Sequence, residues 1–242
     1  MLIVVNSMTG YAIEATDGRL GTLSDLLFDD QTWRGRWLVV DTGNWLDRKR
    51  VLIHPSAFNS VDHDARILYV DLTRDQVQAS PPISDHLPIT RETERSQFDY
   101  YSWDPYWGTQ SVGIVPGGGP IVEDARLQDG PDPNLRSAED INNYHIVARD
   151  GNIGHLDTML VDDTSFQIDS LILNTSDWWS GQTVLVSTGK VTSFNAHDRL
   201  IRIAMTRAQI KTSPNWDPSR IVAAEIAAGQ TDHQVWPGNR SR

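Results

Sequence analysis

A strand-end motif carries the chain's clearest catalytic pattern. Asp41-Thr42-Gly43 follows the apolar run Leu38-Val39-Val40, which is how an aspartic protease presents its catalytic carboxylate. Such an enzyme needs two carboxylates that share one proton, because each negative charge raises the pKa of the other. The equivalent position of a second, repeated segment is Asn174, so the pair could be completed only by Asp41 of a second chain. We interpret the motif as a turn at the end of a strand.

Acidic and imidazole side chains suggest metal sites, but each group of them has fewer side chains than the metal needs as ligands. Asp29-Asp30 and Asp162-Asp163 offer oxygen ligands for Ca²⁺, which takes about six to eight oxygens from a dedicated loop. Aspartate is also a favoured turn residue, and we predict turns at both pairs. His145 and His155 could approach each other across a hairpin, yet a structural zinc site takes about four ligands and the chain has no cysteine. We predict no catalytic residue, no cofactor and no bound metal.

Aromatic residues give the most informative surface signal. Six aromatic side chains fall between Phe98 and Trp107, and Trp45 and Trp178 occupy equivalent positions of the repeat. Tyrosine and tryptophan concentrate at interaction hot spots, although such a segment could also fold back to cover a barrel end or the groove between two barrels. We favour packing within the chain and keep an interface as the alternative. The candidate interface residues are Trp45, Tyr100, Tyr101, Trp103, Tyr106, Trp107, Trp178 and Trp179.

An ungapped internal repeat must position these groups. Residues 2–81 match residues 135–214 at a constant offset of 133 positions, so that Asp17-Gly18 corresponds to Asp150-Gly151 and Thr73-Arg74 to Thr206-Arg207. Duplication explains an ungapped match of this length far better than convergence.

Each repeat has the pattern of short strands separated by turns. Residues 10–16 alternate between apolar and polar, as a half-buried strand does, and Asp17-Gly18 is a tight-turn signal. Residues 20–28 predict the next strand, in which Gly21 marks a bulge or a close approach of two backbones. Thr73 is a predicted cap of a short helix. Strands of this length and spacing predict a small antiparallel barrel.

The fold prediction is therefore mainly β, with two tandem small antiparallel barrels. Residues 1–85 form the first barrel and residues 135–216 the second. Residues 86–134 form an irregular linker, rich in aromatic residues, glycine and proline, with a helix over Ile89–Tyr101 that Thr90 caps. Residues 217–242 form a short C-terminal helix and a tail.

At the level of these motifs, the repeats resemble the PRC-barrel family. This small barrel is shared by the cytoplasmic part of the photosynthetic reaction centre H subunit and the C-terminal domain of the ribosome maturation factor RimM. The shared motifs are turns and strand patterns, so they specify a fold more than a function. The resemblance implies an interaction or assembly module and not an enzyme. It is carried by residues 17–29, 38–45 and 51–53, and in the second copy by residues 150–163, 171–179 and 184–186.

The net charge and the hydropathy of the chain limit the classes of partner that it can be expected to bind. The net charge is −11 with three lysines, which argues against nucleic acid, since phosphate neutralisation supplies most of that affinity. No stretch approaches the roughly 20 apolar residues of a membrane span, and the N-terminus lacks a signal-peptide pattern, so we expect a cytoplasmic protein. We predict a non-enzymatic interaction module with a protein partner and a candidate homodimer. The alternatives are a soluble relative of the reaction centre H subunit beside a membrane electron-transfer complex, and a small-ligand binder or hydrolase with a cleft between the barrels.

Overall fold

A computed structural model describes residues 1–83, 89–105, 132–175, 182–213 and 215–216 of the 242-residue chain. Within these ranges two seven-stranded sheets form the molecule, which confirms the mainly β fold. The first sheet contains β2 (Ala12–Ala15), β3 (Gly18–Asp29), β4 (Arg34–Asp41), β5 (Arg50–Ile53), β6 (Phe58–Asp62), β7 (Ile67–Val70) and β8 (Leu135–Ser137). The second contains β1 (Leu2–Val4), β9 (His145–Ala148), β10 (Gly151–Asp162), β11 (Ile168–Asn174), β12 (Thr183–Ser187), β13 (Val191–Asn195) and β14 (Leu200–Ile203).

Short helices complete the described chain. They are α1 (Val5–Met8), α2 (Arg74–Gln78), α3 (Arg91–Tyr101) and α4 (Arg207–Lys211), with 3₁₀ turns at Gly43–Leu46, Pro55–Ala57 and Thr188–Lys190. The predicted caps are confirmed. Thr90 Oγ1 accepts a hydrogen bond from Thr93 N at 3.1 Å, and Thr73 Oγ1 accepts one from Gln76 N at 3.2 Å. The predicted C-terminal helix lies outside the described residues.

The two sheets have the same strand order, as the repeat requires. The first runs β5-β4-β3-β2-β7-β6 and the second β12-β11-β10-β9-β14-β13. The pairing is antiparallel as predicted, except at one place in each sheet. Ala12 pairs in parallel with Ile67, and His145 pairs in parallel with Leu200. The long connection from β2 to β7 lets the later strand return in the same direction, which a tight hairpin cannot do.

Each repeat gives its first strand to the sheet of the other repeat. In the second sheet, β1 pairs with β10, with Ile3 opposite Val161. In the first sheet, β8 pairs with β3, with Arg136 opposite Phe28. The exchange is reciprocal because β1 and β8 occupy equivalent repeat positions. The predicted domain boundaries place each of these segments in its own repeat, and those boundaries stay a prediction.

The β3–β4 and β10–β11 turns also contact each other. Gly35 N donates to Phe166 O and Ile168 N donates to Trp33 O, both at 2.8 Å. The Trp33 ring stacks on Phe28 and meets the edge of Phe194 in the second sheet, while Phe166 meets Phe58 in the first. One hydrophobic cluster therefore extends through both sheets. The two sheets are built as one packed body.

A glycine on β3 is required by the closeness of two backbones. A Cβ atom on Gly21 would lie 2.0 Å from Asp41 O, and Gly154 has the same relation to Asn174 O. This agrees with the close approach predicted at Gly21. We expect Gly21→Ala to lower the free energy of unfolding by about 2–3 kcal/mol, because β3 and β4 must separate. Denaturant titration measures the loss.

Gly10→Ala is the matched control for that substitution. Gly10 has φ of +84°, but no atom lies within 4 Å of the position that a methyl group on this residue would take. It therefore carries the backbone cost of a left-handed alanine, about 1–2 kcal/mol, without a clash. Equal losses from the two variants would show that the backbone approach at Gly21 is not the cause.

Candidate functional site

A buried ionic network attaches α3 to the first sheet. Arg36 on β4 is 4 % exposed, and its Nη2 donates to both carboxylate oxygens of Glu94 at 2.5 Å. Arg36 Nη1 donates to Asp132 Oδ2 at 2.7 Å, and Arg91 Nη2 lies 3.0 Å from the same oxygen. The Trp37 indole Nε1 also donates to Glu94, at 2.7 Å. The network joins one strand, one helix and the segment that leads into β8.

Burial opposes ionisation of both acids of this network, but their pKa values shift in opposite directions. It raises the pKa of Glu94, against the opposing effects of Arg36, the Trp37 indole and Arg91. Burial would also raise the pKa of Asp132, but the hydrogen bond from Asn134 N and the guanidinium groups of Arg36 and Arg91 hold it below its usual value. Both carboxylates depend on the two arginines for compensation.

Aromatic rings cover the outer face of the first sheet beside this network. His54 lies among Trp37, Phe98 and Trp103, with ring centroids 5.4, 4.9 and 5.6 Å away. Its Nδ1 accepts a hydrogen bond from Ser56 N at 3.2 Å. Burial lowers the pKa of His54 to about 4, and the nearby Arg34 and Arg36 act in the same direction. The imidazole is therefore neutral near pH 7.

The described aromatic candidates pack on the first sheet to different degrees. Tyr101 stacks on Trp103 at 4.2 Å between centroids, and burial raises the pKa of Tyr101 to about 12. Trp103 is half-buried against Trp37, while Tyr100 is 39 % exposed. Trp103 thus packs on the first sheet, where it contacts both hydrophobic clusters of the chain. Tyr106, Trp107, Trp178 and Trp179 lie outside the described residues.

Two of the candidate interface residues meet at α2. The Arg74 guanidinium lies 4.6 Å from the centre of the Trp45 ring, and the Tyr100 hydroxyl donates to Gln76 O at 2.9 Å. Trp45 is half-buried and Gln76 is exposed. We call Trp45, Arg74, Gln76 and Tyr100 the α2 surface. The sequence showed these aromatic residues, but not that one helix brings them together.

A cleft of about 250 Å³ lies where α1, β3 and residues 138–142 meet. Asp25 borders this cleft, and burial raises its pKa to about 6 although three hydrogen bonds oppose the shift. Its carboxylate accepts from Ser137 Oγ at 2.6 Å, from Leu26 N at 2.8 Å and from Glu139 N at 3.2 Å. These donors occupy both oxygens, so Asp25 ties β3 to the segment after β8.

The acidic pairs serve turns and contacts between the two repeats. Asp29 Oδ1 accepts from Gln31 N and Thr32 N, which supports the predicted turn. The second acid of each pair reaches further: Asp30 contacts the Arg136 guanidinium at 2.8 Å, and Asp163 Oδ2 lies 2.8 Å from His63 Nε2. Sequence reasoning missed this second role.

The remaining chemical candidates are not brought into a reactive group. His145 and His155 face each other in register on β9 and β10. Among the described residues no three His, Cys, Asp or Glu side chains gather into a metal-binding group. Asp41 Oδ1 accepts from Gly43 N at 2.9 Å, as a strand-end turn does. No helix in the described ranges is long and apolar enough to cross a membrane.

Comparison with known proteins supports the fold of the first repeat. A family model described as PRC-barrel domain matches residues 5–77. A relative from Deinococcus radiodurans, described as an uncharacterized protein, is 34 % identical over 73 residues. That alignment covers 30 % of this chain and 26 % of the relative. Residues 5–77 of this chain therefore match the PRC-barrel domain.

Proposed function

We propose that this chain is a non-enzymatic protein-interaction or assembly module that binds its partner through the α2 surface. The observation that carries the proposal is the meeting of Trp45, Arg74 and Tyr100 around one short helix. Tryptophan, arginine and tyrosine are the residue types that dominate interaction hot spots. The proposal places this role in the cytoplasm.

The packing beneath the α2 surface supports a binding role. Binding is stronger when the surface is already ordered, because fewer side chains lose freedom on association. Tyr100 is fixed by its hydrogen bond to Gln76 O, and α3 beneath it is anchored through Glu94 to Arg36. Trp45 Nε1 donates to Leu20 O, which fixes the indole ring. These contacts hold both aromatic residues in place before a partner arrives.

Tyr100→Ser tests the α2 surface. We expect at least about fivefold weaker capture of the partner, because truncating a hot-spot tyrosine costs more than about 1 kcal/mol. Affinity capture from native lysate with quantitative mass spectrometry, followed by titration of the purified partner, measures the change. Tyr69→Ser on β7 is the matched control, since Tyr69 is also 39 % exposed. Equal binding by the Tyr100 variant and the wild type would refute the assignment of this surface.

Self-association is part of the same proposal and has its own measurement. A second copy would be the partner if light scattering gave twice the monomer mass and Tyr100→Ser returned it to the monomer. A monomer mass at high concentration would remove the homodimer and leave a different protein as the partner.

A further inference from the structure

We propose that the open pocket beside Trp45 is a binding site for the oxyanion of a small molecule, a phosphate or a carboxylate. The pocket has a volume of about 540 Å³. It lies on the first sheet and shares Trp45 and Arg74 with the α2 surface, but the ligand proposed here is a small molecule and not the protein partner. The lining residues that matter here are Arg19, Thr22, Asp41, Trp45 and Arg74.

The Arg74 side chain is the group in this pocket that is most suited to bind an oxyanion. Its guanidinium lies over the Trp45 ring, and among the described residues its buried Nε has no hydrogen-bond partner. A buried donor without a partner costs roughly 1–3 kcal/mol of free energy, so an acceptor that binds to it removes this cost. A guanidinium offers two parallel donors, which suit carboxylate or phosphate oxygens better than a single carbonyl.

In the second repeat the equivalent arginine is already hydrogen-bonded to the backbone. Arg207 is the repeat equivalent of Arg74, and it donates from Nε and Nη2 to Asn152 O at 3.1 and 2.6 Å. Arg74 lies over Trp45, and among the described residues its Nε has no acceptor. Among the described residues the two arginines therefore differ at Nε, which donates to a carbonyl in Arg207 and has no acceptor in Arg74.

The first repeat also has a positive charge at this place that the second repeat lacks. Arg19 lines the pocket and is exposed, whereas the equivalent residue of the second repeat is Asn152. The pocket also contains one acid, Asp41, and its Oδ1 already accepts from Gly43 N. Two guanidinium groups against one engaged carboxylate give the lining a net positive charge, within a chain whose net charge is −11.

The geometry favours a small ligand with a ring or short chain behind its oxyanion. The oxyanion would bind Arg74 and Arg19, with the Thr22 hydroxyl as a further polar group in the lining. The Trp45 ring is held by its bond to Leu20 O and provides a fixed apolar wall. A pocket of this size takes a ligand in the range of common metabolites.

Isothermal titration calorimetry of the full chain with phenyl phosphate and with benzoate tests the site, and the stronger of the two identifies the oxyanion. We expect one bound probe per chain and about tenfold or greater weakening by Arg74→Gln, as for the loss of a charged hydrogen bond. Arg207→Gln is the matched control and should leave the affinity unchanged. Arg19→Gln removes the second cation from an exposed position and provides an independent variant if Arg74→Gln fails to fold. Absence of heat with both probes, or equal weakening by Arg207→Gln, would overturn the proposal.

Discussion

Replacing Arg36 with leucine should lower the free energy of unfolding by about 3–5 kcal/mol, because it leaves Glu94 and Asp132 buried without their main partner. Glu94 is 0 % exposed and Asp132 is 3 % exposed. Removal of one member of a buried charge group costs much more than the group contributes, since the remaining charges cannot return to water. Denaturant titration of the purified chain measures the effect.

A double variant separates the charge imbalance from the loss of packing. In Arg36→Leu/Glu94→Leu the stranded carboxylate of Glu94 is removed together with its partner, so we expect part of the lost stability to return. Coupling between the two substitutions should exceed about 1 kcal/mol, as for residues in direct contact. Asp169→Ala is the control at the equivalent position of the second sheet, where the side chain is exposed, and should change stability by no more than about 0.5 kcal/mol. A loss below about 1 kcal/mol in Arg36→Leu would contradict the network's role.

Loss of this network should also affect the proposed interface. Glu94 lies on α3, and the same helix ends with Tyr100 and Tyr101. If Arg36→Leu loosens α3, Tyr100 loses its fixed position beside Gln76. A variant that folds but binds the partner more weakly is therefore an expected secondary result, and the Trp37 near-ultraviolet signal would report the loosened helix.

The sequence predicted the parts of the fold that depend on local rules. The two Asp-Gly turns, the Thr73 and Thr90 caps and the close approach at Gly21 all follow from one residue's own preferences and its near neighbours. The repeat supplied the rest, because a shared offset shows that both sheets have one strand order. Such features need no knowledge of distant contacts.

The exchanged strands could not be predicted in the same way. Both β1 and β8 are three residues long, which is too short for a periodic pattern. Their partners lie in the other repeat, and either sheet offers an equivalent edge to each strand. The sequence therefore fits exchange and non-exchange equally well, and only the three-dimensional path of the chain decides between them.

The buried ionic groups were missed for a related reason. Arg36 binds Glu94 and Asp132, which are 58 and 96 positions away along the chain. Glu94 lies in a polar run that is typical of an exposed helix face. A signal did exist at Asp25, a lone acid within an apolar strand whose repeat equivalent is Thr158. A position at which the two repeats differ in residue type can thus indicate an unusual buried residue, but it does not show which residue that side chain contacts.

Asp25 and the half-buried His54 should make opposite contributions to the pH dependence of stability. Burial raises the pKa of Asp25 from 3.8 to about 6, so the folded chain keeps this proton after the unfolded chain has lost it. Its effect on stability is therefore favourable at low pH and is lost as pH rises from about 4 to about 6. The full change is on the order of 3 kcal/mol, from a shift of about two pKa units.

His54 acts in the reverse direction over the same range. Burial and the nearby arginines lower its pKa from 6.5 to about 4. Between these two pH values His54 is protonated in the unfolded chain and neutral in the folded chain. Its contribution is absent above pH 6.5, and stability falls as pH drops from 6.5 towards 4. The change is on the order of 2–3 kcal/mol, since His54 is partly exposed. In the wild type the two effects largely cancel between about pH 4 and 6.5.

Single substitutions should reveal the two slopes that cancel. Relative to the wild type, Asp25→Asn should become more stable as pH rises from about 4 to 6.5, because the ionisation penalty of Asp25 is gone and the His54 effect remains. His54→Gln should show the opposite slope, since the fall caused by Asp25 then stands alone. The difference in the free energy of unfolding between each variant and the wild type, measured at several pH values, removes the background of Glu94 and Asp30, whose pKa values burial also raises. The double variant should follow the wild type within about 1 kcal/mol at every pH. Slopes of the same sign in the two single variants would show that one of these pKa shifts has the wrong direction.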